Sequence, residues 1–100
     1  MSVDPIAEIW PRITLRRAAL LAQLADMRTE RECAEALGLS LSGVRSAVEV
    51  LRAITGQAST RDLGRWWRVN APAYVSYVAV LAGVDSHAMT EEKGTEGREN

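Results

Sequence analysis

The chain has 100 residues, of which 47% are apolar and 25% charged, with a formal net charge of −1; this is room for one domain with a modest core. It holds no apolar run of about eighteen residues, which excludes a membrane-spanning helix, and its single cysteine, Cys33, excludes an internal disulfide. The charge is uneven: residues 1–84 carry ten arginines against eight acids, whereas residues 85–100 carry five acids against Lys93 and Arg98.

The only histidine, His87, lies far from Cys33, so no zinc site is expected, and no cofactor. A reduced, cytoplasmic setting fits the cysteine count. The start of the chain, with Asp4 and Glu8 and no basic apolar leader, does not read as a signal peptide.

Residues 1–12 read as an N-terminal arm in which VDPIAEIWP forms a short helical turn ended by Pro11. In ITLRRAALLAQLAD, Thr14 is the expected N-cap and Leu20, Leu21 and Leu24 share one face, in an alanine-rich setting that favours helix. Thr29 is the next N-cap. Glu32 stands three residues on, the capping-box spacing, and ERECAEAL turns Cys33, Ala34 and Leu37 inward before Gly38 stops it. Ser40 reopens the chain. Val44, Val48 and Leu51 follow at i, i+4 and i+7 as an inward stripe, and Gly56 ends that helix.

STRDLGRWWR starts a fourth helix capped by Ser59 or Thr60, with Asp62 in its first turn, where a carboxylate suits the helix dipole. Adjacent residues on a helix point about 100° apart, so at most one of Trp66 and Trp67 belongs in the core. NAPAYVSYVAVLAG completes the pattern: its valines and tyrosines permit a strand, but Asn70 as N-cap, Pro72 near the first position and Gly83 as terminator agree on a helix. The expected fold is therefore all-α, a small helix-turn-helix bundle of four helices plus an additional C-terminal helix. Residues 13–68 form the main domain, residues 69–84 the last helix, and the acidic tail 85–100, almost without apolar residues, is expected to be disordered.

Two helices joined by a short turn containing glycine make a helix-turn-helix, in which the second helix can enter a DNA major groove. The segment ITLRRAALLAQLADMRTERECAEALGLSLSGVRSAVEVL resembles the LuxR-type (GerE-like) DNA-binding domain of bacterial regulators. The resemblance rests on Ile13, Thr14, Arg16, Leu20, Leu21 and Leu24, then Thr29, Glu32, Cys33 and Ala34, then Leu37, Gly38, Leu39, Ser40, Val44 and Arg45. Ser59-Thr60-Arg61 echoes a later Ser-Arg pair. Region 4 of sigma factors shares the same core pattern. The chain departs from the LuxR-type pattern at Arg17 (usually Glu), at Met27 (usually Gly), at Gly43 and Ala47, and at Ile54–Thr55 in place of Lys-Leu.

The resemblance implies a sequence-specific double-stranded DNA-binding protein, a small bacterial or phage transcriptional regulator with its recognition helix at about 41–55. Arg45, Ser46 and Glu49 are then the base-reading residues, since Arg pairs bidentately with guanine and Glu accepts from cytosine N4. Thr29, Arg31, Ser42 and Arg52 are the expected phosphate contacts. On a solvated face Glu49 also reads as an ion-pair partner of Arg45 or Arg52. A phage packaging protein is a variant of this reading.

The last helix carries apolar residues on more than one face. Trp67, Tyr74, Tyr77, Val78 and Leu81 could cap the domain's own core, form a homodimer, or meet a protein partner. The alternative function is thus a protein-protein interaction module on a helix-turn-helix scaffold, directed at a host or transcription protein. The sequence holds no Ser-His-Asp set, phosphate loop or clustered carboxylates, and no enzyme is expected.

Overall fold

A computed structural model describes residues 8–83. A single 3-10 turn, Trp10–Arg12, leads into four α-helices: α1 (Leu15–Ala25), α2 (Glu30–Leu37), α3 (Leu41–Thr55) and α4 (Thr60–Leu81). Among the described residues there is no strand. The acidic tail at 85–100 lies outside them.

Each α-helix begins where a short polar side chain can satisfy amides that the helix leaves unpaired. Thr14 Oγ1 accepts from Arg17 N at 3.1 Å, Ser40 Oγ from Gly43 N at 3.0 Å, and Ser59 Oγ from Asp62 N at 3.0 Å. At α2 the capping box is complete: Thr29 Oγ1 accepts from Glu32 N at 3.1 Å, and Glu32 Oε1 accepts from Thr29 N at 2.8 Å. Helices α2 and α3 end on Gly38 (φ 68°) and Gly56 (φ 75°), left-handed conformations that cost glycine little. Just beyond α1, Met27 takes the same conformation without being glycine, at φ 66°.

The core gathers Leu20, Leu21 and Leu24 from α1, Cys33 from α2, Val44, Val48 and Leu51 from α3, and Leu63, Trp67 and Tyr74 from α4. Helices α1 and α4 approach so closely that a Cβ on Gly64 would stand 2.6 Å from the Leu24 carbonyl oxygen. A small residue there is a packing requirement.

Three expectations change. The fourth and fifth expected helices are one, since α4 runs unbroken through Pro72 to Leu81, and the boundary at residue 68 falls inside it. Asn70 is no N-cap: its Nδ2 donates to the Trp66 carbonyl four residues back, at 2.8 Å. The physical reason is anchorage, because Trp67 and Tyr74, two turns apart, are both buried and fix both halves of the helix to the same core. Pro11 occupies the first turn of the 3-10 helix rather than ending one, as its fixed φ allows. With it, Trp10 from the expected arm enters the core, its ring 5.6 Å from Tyr74 and 5.8 Å from Trp66.

Candidate nucleic-acid interface

Three residues, Gly38 to Ser40, separate α2 from α3. Because Val44, Val48 and Leu51 are all buried, the opposite side of α3 is held outward. Ser42, Arg45, Ser46 and Glu49 lie there at i, i+3, i+4 and i+7, all exposed, so the three residues expected to read bases share one face with Ser42. Gly43 beside them adds no side chain, which keeps the N-terminal half of this surface low.

Arg45 is steered by a residue that the sequence patterns did not single out. Its Nε lies 3.4 Å from Glu30 Oε1 on α2, while the other Glu30 oxygen is 3.5 Å from the Thr60 hydroxyl at the start of α4. Glu30 thus ties three helices at one point. In the sequence it shows only as an acid in a first helical turn. The Arg45 side chain remains 65% exposed, so this long ion pair holds it weakly.

Glu49 pairs with Arg52, at 3.5 Å, rather than with Arg45. The expected phosphate role of Arg52 does not fit its position. Its Nη2 donates to the Ala58 carbonyl at 2.6 Å and its Nε to the Gln57 carbonyl at 3.5 Å. The guanidinium is committed to the turn between α3 and α4, near carbonyls that attract a cation. Thr29 and Ser42 are exposed at the starts of α2 and α3, with the Thr29 oxygen already serving the capping box. Arg31 is exposed on α2 and makes no ion pair among the described residues.

The expected partner surface on the last helix needs correction at two positions. Trp67 and Tyr74 are buried in the chain's own core, and the Tyr74 hydroxyl donates to the Ile13 carbonyl at 2.7 Å. Tyr77 and Val78 are partly buried against the same core. Of the residues proposed for contact, Leu81 alone is largely exposed, and the apolar surface that α4 offers is Val69, Val75, Val80 and Leu81.

Cys33 is fully buried, and burial raises its thiol pKa above the ordinary 9.0, with Arg28 opposing the shift in part. A buried, protonated thiol is a poor nucleophile. Among the described residues no group of three His, Cys, Asp or Glu could hold a metal ion, and no helix is long and apolar enough to cross a membrane. The chain matches no protein-family model, and no curated protein or solved structure proved similar to it.

Proposed function

We propose that the protein is a sequence-specific double-stranded DNA-binding regulator of a bacterium or phage, with α3 as the helix that enters the major groove. The observation that carries this reading is the exposed face of Ser42, Arg45, Ser46 and Glu49, set on a capped helix that follows α2 after three residues. A second feature supports the LuxR-type likeness. Met27 stands where that pattern has glycine, and it adopts the left-handed conformation that glycine adopts most easily.

In this reading Arg45 exchanges its weak pairing with Glu30 for the O6 and N7 of a guanine, with Ser46 beside it. Glu49, restrained by Arg52, accepts from a cytosine amino group and repels phosphate in a wrong register. Thr29, Arg31 and Ser42 meet the backbone on either side. The reading requires no cofactor and no catalytic group, and a reduced cytoplasm suits the free thiol.

Selection from a pool of random duplexes tests it. Wild-type protein should enrich a motif, and Arg45→Ala should lose one or more positions of it while keeping its melting temperature. Enrichment indifferent to Arg45→Ala, or none at all, would refute the assignment.

One observation favours a protein contact in addition. From Val69 to Leu81 the chain has no charged side chain, and Val69, Val75, Val80 and Leu81 are each more than half exposed. Val69 and Val80, about three turns apart on one side of α4 with Val75 and Leu81 to either side of them, make an apolar surface that suits a two-fold homodimer, which would present two α3 helices to half-sites about 34 Å apart. Sedimentation of wild type and Val80→Asp tests this: a dimer that the substitution dissociates supports it, and a monomeric wild type, with or without DNA, refutes it.

A further inference from the structure

A basic surface lies beside the exposed face of α3. Arg28 leaves the turn between α1 and α2, and Arg61, Arg65 and Arg68 follow at i, i+4 and i+7 on α4. They surround the exposed side chain of Met27. One hollow, of about 130 Å³, is lined by Met27, Arg61, Arg65 and Arg68. The next, of about 360 Å³, is lined by Leu24, Met27, Arg28, Thr60 and Arg61. Met27 and Arg61 belong to both, so the two form one cleft.

The four arginines are not equivalent. Arg68 Nη2 donates to the Ala25 carbonyl and closes the end of α1. Arg65 is shared with Asp62 at 3.9 Å. Arg28 and Arg61 are exposed and make no ion pair among the described residues. Two unneutralised guanidinium groups at one cleft raise the local potential and attract an anion.

The cleft adjoins the α3 face through a single side chain. Glu30 touches Arg45 with one carboxylate oxygen and Thr60, on the rim of the cleft, with the other. One carboxylate thus separates Arg45 from the rim of the cleft.

We infer that the cleft of Arg28 and Arg61 is a second DNA-backbone site, one that grips phosphates flanking the bases read by α3 and carries no sequence preference of its own. The inference rests on the DNA-binding reading and extends it to residues outside the helix pair. The chemistry is that of guanidinium forks on phosphate oxygens. It also supplies the backbone contacts that Arg52, committed to its turn, does not.

The test measures the salt dependence of affinity for a mixed-sequence duplex and for an α3-selected duplex. Wild type is compared with Arg28→Ala/Arg61→Ala, Arg28→Lys/Arg61→Lys and Arg45→Ala. Each phosphate contact contributes about 0.9 to the slope of log K against log[salt]. The alanine pair should therefore lower the slope by roughly 2 on both duplexes, leave the selected motif unchanged, and be largely rescued by the lysine pair. A slope unchanged by the alanine pair, while Arg45→Ala still alters the motif, overturns the cleft and spares the α3 reading. No binding of wild type to either duplex overturns both.

Discussion

Tyr74 joins two roles in one side chain. Its ring packs against Trp10 and Trp67, and its hydroxyl satisfies the carbonyl of Ile13 at the entry to α1. Tyr74→Phe keeps the ring and leaves that carbonyl without its partner, for an expected loss of about 1–2 kcal/mol, read as a fall in melting temperature. The same residue links stability to alkaline pH. Burial raises the pKa of Tyr74 above its ordinary 10.0, as it raises that of Cys33 above 9.0. Both groups are neutral when protonated, so the unfolded chain releases these protons first as pH rises. Their contribution is whole below the ordinary values and is lost as pH climbs through them toward the raised ones. Thermal melts should be flat from about pH 7 to 8.5 and decline beyond pH 9; Cys33→Ala should blunt the onset of that decline.

Among the elements, α4 is the most informative. Gly64→Ala would drive a methyl group into the backbone of α1 at Leu24, with an expected cost of about 1–3 kcal/mol. Nothing flexible stands there to move aside. Pro72 acts in the opposite sense: it is exposed inside a continuous helix and has no N–H for the Arg68 carbonyl. Pro72→Ala should restore that bond and stabilise the protein by roughly 1–3 kcal/mol. A lower melting temperature for Pro72→Ala would contradict this account of the missing bond. The starts of α1 to α4 were legible because a cap is a contact over three residues, visible in the order of Thr14, Thr29, Ser40 and Ser59. The joining of the last two expected helices was not. Asn70, Pro72 and their spacing are local signs of a helix start, while the burial of Trp67 and Tyr74 in one core is a tertiary fact that overrides them.

At the scale of the molecule, charge and apolar surface divide along α4. Its first half carries Arg61, Arg65 and Arg68, and everything after Arg68 is uncharged as far as Leu81. Residues 8–83 hold ten arginines against seven acids, so the described body is basic although the whole chain is slightly acidic. The exposed face of α3 could be read from the sequence, because the spacing of Val44, Val48 and Leu51 fixes which residues point away from the core. The restraint on Arg45 by Glu30, the diversion of Arg52 to the α3–α4 turn and the cleft around Met27 could not. Each depends on helices that meet only after folding, and arginines in sequence carry no sign of which carbonyl or carboxylate will claim them.

The most direct measurement follows the backbone amide resonances during titration with a duplex selected from the random pool. If α3 reads DNA, the largest shifts fall between Ser42 and Glu49 and at Thr29 and Arg31, with smaller ones at Arg28 and Arg61, while Val75 to Leu81 change little within a protomer. Shifts confined to the C-terminal half of α4, or no shift at saturating DNA, would contradict a DNA-reading helix at α3.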